Sequence, residues 1–333
     1  MNHTVHNKKS WLALTSSKRI CEISPLMMAM GAAGARGAPG YGYSLGVYNA
    51  GATNVIEKFA MASDGDGADV SNLFQSRYAG MGCTNVTTAH GYLLGGQLDA
   101  TTYYDTIDKS LLASDGDATD VGNLTEVTTY GGASSSLTYG YKYGGTTYSG
   151  GAAHTNVIAK VSLTSDGDAT DVGDLAITGT CNEVRSAADV VGGYGYAFGG
   201  YNPSASNIIE RNSHSSDGNT SDVGDLYTAR RFSAVHYDDT YAWAAGGDTG
   251  SYSDTSDRFA FGSSQNGAQQ GDLTQVTGYG SGCSSNVDGY VVGNSANDTT
   301  RIEKITLASG GTYTDVASVL NGGGGNATWS YNP

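Results

Sequence analysis

Three carboxylates recur in a fixed pattern. Asp64, Asp66 and Asp69 are followed by Asp115, Asp117 and Asp120, then by Asp166, Asp168 and Asp171. Carboxylates clustered on a turn are calcium chemistry when about six to eight oxygens converge on one ion. The spacing here is not that of an EF-hand loop, and no terminal Glu follows. The Ser-Asp-Gly-Asp setting instead supplies Asp-Gly turns and side-chain caps, which use the same residues without a metal. Turns are the preferred reading and Ca²⁺ the alternative, so no metal site and no cofactor is assigned.

Other reactive groups are sparse. His3, His6, His90, His154, His214 and His236 form no HxH or HxxxH pair, and Cys21, Cys83, Cys181 and Cys283 form no CxxC. The cysteines read as free thiols or small packing residues. Gly42-Tyr-Ser-Leu-Gly46 matches the G-x-S-x-G of a serine nucleophile elbow, but that motif needs a strand turning into a helix. Here it is the first copy of a strand repeat described below. No catalytic residue is assigned, and the protein is read as a non-enzyme. The alternative is a polysaccharide-active enzyme built on a pair of converging loop carboxylates.

The most suggestive residues for binding lie in six stretches rich in Tyr, Ser, Gly and Asn, the composition of adaptable recognition loops. They are 47–53, 97–104, 146–154, 201–206, 248–253 and 295–298. From them Tyr48, Asn49, Tyr103, Tyr104, Tyr148, Tyr201, Asn202, Tyr252 and Asn297 are the candidate ligand contacts. Tyrosine rings stack on sugars, and amides hydrogen-bond hydroxyl groups.

The elements that must position these groups follow from an internal repeat. A Tyr-x-x-Gly motif, once with Trp for Tyr, starts at Tyr43, Tyr92, Tyr141, Tyr196, Trp243 and Tyr290, in steps of 49, 49, 55, 47 and 47 residues. A polar residue, two variable ones, often an acid, then Lys or Arg come next, ending at Lys58, Lys109, Lys160, Arg211, Arg258 and Lys304. A third motif, clearest as Ser165–Leu175, closes on Leu73, Leu124, Leu175, Leu226, Leu273 and Leu320. Each copy parses into four short strands, a to d, with the Asp-Gly turn between c and d. Four-stranded units of this length repeated radially build a β-propeller.

The expected fold is therefore all-β, a six-bladed propeller with four antiparallel strands per blade over residues 41–333. Its 50 glycines suit inner strands where backbones approach closely. Tyrosine supplies large buried area with a hydroxyl able to reach the rim. Two segments compete for strand a of the first blade, Met27–Pro39 and Asn321–Pro333. The C-terminal tail is expected to win, because Thr328-Trp-Ser-Tyr pairs as a strand while Gly31–Gly40 is rich in Gly and Ala. In such a ring the six binding stretches, as b–c connections, share one face with the d–a connections.

The Tyr-x-x-Gly-Gly run after a variable strand resembles the kelch repeat over roughly residues 41–333. It departs from that pattern in lacking a late tryptophan in each blade, since Trp11, Trp243 and Trp329 are the only ones. The glycine- and tyrosine-rich texture also resembles kelch-like proteins of tailed, especially marine, phages. The resemblance implies a propeller that displays loops on a virion.

Residues 1–40 stand apart. They hold Lys8, Lys9, Lys18, Arg19 and Arg36 against one acid, Glu22, whereas the whole chain has a net charge of −15. An acidic body repels phosphate backbones, so no nucleic-acid partner is expected. No run of apolar residues is long enough to span a membrane. The arm imitates a secretory signal, but its first apolar run is too short and its second contains Glu22 and Pro25. It reads better as an anchor, with Ile23, Leu26, Met27, Met28 and Met30 gripping a partner. The expectation is a binding and assembly module on a virion or extracellular surface, part of an oligomer, recognising a glycan or receptor. A purely structural capsid or filament subunit is the further alternative.

Overall fold

The structure, a computed structural model, describes residues 40–176, 182–262, 266–293 and 300–332. The anchoring residues Ile23, Leu26, Met27, Met28 and Met30, and the candidate contact Asn297, lie outside the described residues. Every regular element described is a β-strand, and the strands form six four-stranded antiparallel sheets.

Blade 1 contains β1 (Tyr41–Leu45), β2 (Thr53–Ala60) and β3 (Ala68–Arg77). Blade 2 is β4 (Met81–Asn85), β5 (His90–Gln97), β6 (Tyr103–Leu111) and β7 (Thr119–Asn123). Blade 3 is β8 (Gly132–Ser135), β9 (Tyr139–Tyr148), β10 (Ala152–Ser162) and β11 (Thr170–Asp174). Blade 4 is β12 (Arg185–Asp189), β13 (Tyr194–Phe198), β14 (Ile208–Ser213) and β15 (Ser221–Asp225). Blade 5 is β16 (Ala234–Tyr237), β17 (Tyr241–Ala245), β18 (Ser253–Ala260) and β19 (Ala268–Thr277). Blade 6 is β20 (Ser281–Ser284), β21 (Asp288–Val292), β22 (Arg301–Thr306) and β23 (Thr314–Ser318). The chain then returns as β24 (Ala327–Tyr331), which pairs with β1 from Leu45↔Ala327 to Tyr41↔Tyr331 and completes blade 1. The C-terminal tail thus takes the contested slot. The ring is a six-bladed propeller closed by its last strand, which leaves no free inner edge.

The inner strands β24, β4, β8, β12, β16 and β20 pack side by side around the axis. This is where small residues are obligatory. A Cβ on Gly82 would sit 2.5 Å from the Thr328 carbonyl oxygen, and one on Gly282 2.2 Å from that of Val235.

The repeated tyrosine acts between blades rather than at the rim. Tyr43, Tyr92, Tyr141 and Tyr290 are buried, and each hydroxyl donates to a backbone carbonyl of the next blade, those of Leu112, Leu163, His214 and Met61 at 2.7–3.0 Å. The second motif has a similar explanation. A register shift recurs in each c–d pair, beside an acid in five of the six, as at Ile56/Glu57, Ile209/Glu210, Ser256/Asp257 and Ile302/Glu303, and at Ile158/Ala159 in blade 3. A bulge re-aims the side chain at that point. Asp108 accepts from the Phe74 amide of the preceding blade at 2.9 Å, and Glu57 from the Leu320 amide at 2.6 Å.

One marker was misplaced by a residue. Leu73, Leu124, Leu175, Leu226 and Leu273 are buried, but Leu320 is 61% exposed and Val319 fills its seat. The amide of Val319 bonds the Thr300 carbonyl just as that of Leu124 bonds Asp105. The sixth copy reads Thr-Asp-Val-Ala-Ser-Val, so Val replaces the closing Leu one position earlier.

Candidate functional site

Each d strand returns to the axis and enters the next inner strand through one sharply turned residue. Five of these six positions are Ala79, Tyr130, Glu183, Phe232 and Tyr279, with φ between 55° and 61°, and the sixth is Gly325 at 70°. Left-handed backbone costs a non-glycine residue about 1–2 kcal/mol. Bulky side chains held in it are the kind of strain that gathers at functional sites. The amides and carbonyls of these residues link around the axis: Ala79 N to Gly325 O, Tyr130 N to Ala79 O, Glu183 N to Tyr130 O, Phe232 N to Glu183 O and Gly325 N to Tyr279 O. The belt fixes the backbone and lets the side chains converge over the axial mouth.

Three of them, Tyr130, Phe232 and Tyr279, form an aromatic collar with Tyr78, the residue before Ala79. Tyr78 and Tyr130 have ring centroids 6.3 Å apart, Tyr130 and Phe232 5.5 Å, Phe232 and Tyr279 3.9 Å. The sequence-predicted tyrosines join this collar from outside: Tyr48 lies 4.8 Å from Tyr78, and Tyr252 6.1 Å from Tyr279. Tyr103 pairs with Tyr148 at 5.3 Å. Tyr48 and Tyr252 remain 49% and 37% exposed, enough to meet a ligand. Burial, together with its phenol neighbours Tyr78 and Tyr279, pushes the Tyr130 hydroxyl up, so it stays neutral.

Several candidates sit differently from expectation. Tyr103 and Tyr104 belong to β6, and Tyr148 to β9, rather than to loops. The hairpin there runs on until Tyr148 faces Ala152, which leaves only residues 149–151 as the connection. Tyr104 is half-buried, with the Arg77 guanidinium 5.2 Å from its ring. Asn49 and Asn202 are exposed at hairpin tips, where their amides bond Gly51 and Ser204.

The collar has a charged corner that the sequence reading missed. Arg231 bonds Asp248 at 2.7 Å and Glu183 at 3.0 Å while its guanidinium lies 4.5 Å from the Tyr201 ring. Burial raises the Glu183 carboxyl and Arg231 opposes it. Arg185 opens β12 beside this corner, 5.7 Å from Phe232. None of these residues carries a repeat signature. The one available signal was a bulky or charged residue before four of the six inner strands, at Tyr130, Glu183, Phe232 and Tyr279.

The Asp-rich turns lie on the opposite face and serve as latches. Asp115 takes Lys58, Asp166 takes Lys109 and Asp217 takes Lys160, each across a blade junction at 2.7–2.8 Å. Lys304 reaches Asp64 across the ring closure. The next acid of each turn caps the neighbouring d strand, Asp66 to Ser318 N, Asp117 to Asn72 N and Asp168 to Asn123 N. The carboxylates of one turn therefore point at different partners. In three turns the Asp itself is left-handed, at φ 50° for Asp64, 51° for Asp115 and 56° for Asp217, where the adjoining Gly was expected to carry the turn. Asp tolerates this conformation better than most residues. Among the described residues no three His, Cys, Asp or Glu gather as a metal site. Cys83 and Cys283 are buried free thiols, and burial pushes Cys83 up to about 12.

No protein-family model matches the chain, and no curated protein matches it in sequence. Its shape is similar to that of solved structures. One is "Structure of YjhT", with a TM-score of 0.62 and 12% identity, covering 75% of this chain and 86% of that one. Since 468 solved chains share the shape, the shape alone does not choose a function.

Proposed function

We propose that the protein is a non-enzymatic binding module whose axial aromatic collar takes a saccharide, carried on a virion surface as an appendage joined through residues 1–40. The collar carries this reading: half-buried Tyr78, Tyr130 and Tyr279 gather around buried Phe232, with exposed Tyr48 and Tyr252 at the margin. Flat rings offer their faces to the apolar faces of sugars. Binding is favoured over hydrolysis because Glu183 and Asp248, the carboxylates beside the collar among the described residues, share one guanidinium. A glycosidase needs a free acid and a separate base or nucleophile flanking the bond. The virion setting and the kelch relationship rest on the repeat's resemblance and on the basic, apolar arm.

A glycan array probed with the full chain tests the reading. A hit is expected, and Tyr78→Ala or Tyr279→Ala should weaken it by about 2- to 12-fold, from ~0.5–1.5 kcal/mol per aromatic contact. Turnover of a sugar polymer would replace binding with catalysis. Cross-linking of residues 1–40 in situ to a protein that is not part of a virion would overturn the appendage.

A further inference from the structure

Four arginines of the propeller are matched by carboxylates. Arg77 takes Asp108 at 2.7 Å, Arg230 takes Asp257 at 2.9 Å and Arg301 takes Glu303 at 3.1 Å. Arg231 takes both Asp248 and Glu183. Among the described residues Arg211 and Arg258 take no carboxylate and stack on Tyr194 and Tyr241 instead, at 4.3 and 4.4 Å, whereas Arg185 has neither a carboxylate contact nor so close a ring. Its Nε donates to the Ser233 carbonyl at 3.0 Å and its Nη1 to the Val184 carbonyl at 3.2 Å, both backbone groups. Glu183 stands two residues away but is already committed, with Oε2 on Arg231 and Oε1 on the Asn182 amide.

Two carbonyls leave most of the five N–H donors of a guanidinium unused. Glu183 acts on this guanidinium only through space, since its oxygens are held by Arg231 and Asn182. Here burial lowers the Arg185 guanidinium to about 10, while part of the side chain remains open. Its surroundings belong to the collar: Phe232 lies 5.7 Å away, and the phenols of Tyr130 and Tyr279 act on it electrostatically.

We propose that Arg185 is the anion seat of the collar, taking the carboxylate of an acidic saccharide whose rings lie on Tyr78, Tyr130 and Tyr279. The sugar half rests on the function proposed above, whereas the carboxylate half rests on Arg185 alone. A small free carboxylate has the same chemistry, and the experiment separates the two.

The full chain is titrated calorimetrically with trigalacturonic acid, with its methyl ester (the same rings without charge) and with formate. The acid is expected to bind at least tenfold more tightly than the ester, and Arg185→Gln to erase that difference. Equal affinities, or a difference that survives Arg185→Gln, overturn the seat. Saturable formate binding lost in Arg185→Gln, with neither sugar bound, supports the seat and removes the saccharide. No saturable binding of any of the three overturns both. Should Arg185→Gln not fold, Arg185→Lys keeps the charge without the planar fork, and the acid-to-ester ratio should fall several-fold; an unchanged ratio overturns the proposal.

Discussion

Removing the indole of Trp329 tests how the ring is closed. Trp329 sits on β24, is 1% exposed, and donates from Nε1 to the Tyr92 carbonyl of blade 2 at 2.8 Å. Its ring lies flat against Gly91, where an added Cβ would come within 2.3 Å of the indole Cδ2. Trp329→Ala should cost about 3–5 kcal/mol, the usual range for an emptied aromatic site. At ~2 °C per kcal/mol, the low end for large domains, the melting temperature should fall by about 6–10 °C. Gly91→Ala alone should cost about 1–3 kcal/mol through overpacking. In the Trp329→Ala background the same methyl finds room and should cost nothing, so the double-mutant cycle has a coupling of about 1–3 kcal/mol. Calorimetry and guanidinium unfolding of the four proteins measure it. Additive effects within ~0.5 kcal/mol would mean that the indole and Gly91 do not meet, and closure by the last strand would fail with them.

Two further outcomes follow from buried and repeated residues. His214 and His236 are enclosed, and burial lowers them to about 4 and about 3. Both are neutral when folded but protonate near 6.5 when unfolded, so their stability contribution is complete above pH 6.5 and is lost as pH falls towards their folded values. The slope should be about 2.7 kcal/mol per pH unit near pH 5, two groups at ~1.36 each. His236→Gln should halve it in urea melts, and an unchanged slope would contradict the assignment. Gly310 occupies the place of the latch Asp with φ 63°, and Arg258 stacks 4.4 Å from Tyr241 on the preceding blade, where Lys160 stacks on Tyr139. Gly310→Asp should restore a latch and add about 0.2–1 kcal/mol at low salt, a gain that vanishes at 1 M salt. No gain at low salt would show that Arg258 cannot reach.

Much of the scaffold was legible because its causes are local and repeated. The spacing of the Tyr-x-x-Gly and Asp-Gly motifs defines strand, turn and strand within about fifty residues, and six copies can close only radially. The tail was assignable to β24 because one strand position lacked an occupant and Thr328–Tyr331 could pair. Leu320 was misread because the last copy replaces its closing Leu with Val319, a change that burial settles and spacing does not.

The site was legible only in part. Tyr48 and Tyr252 announced themselves by composition, whereas Tyr78, Tyr130, Phe232 and Tyr279 looked like unremarkable residues ahead of a strand. They meet because the blades bring equivalent positions, some fifty residues apart, to one axis: Tyr130, Phe232 and Tyr279 occupy the left-handed turn itself, and Tyr78 precedes its counterpart Ala79. The partners of each charge were equally hidden. The same Lys-and-Asp pattern could have bound calcium or joined neighbouring turns, and only the blade junction decides that Lys58 meets Asp115 and that Arg185 meets no carboxylate among the described residues. Sequence repetition determines how a strand pairs with its neighbour in the chain. Which side chains share the axis depends on ring closure, a long-range event that no window of sequence contains.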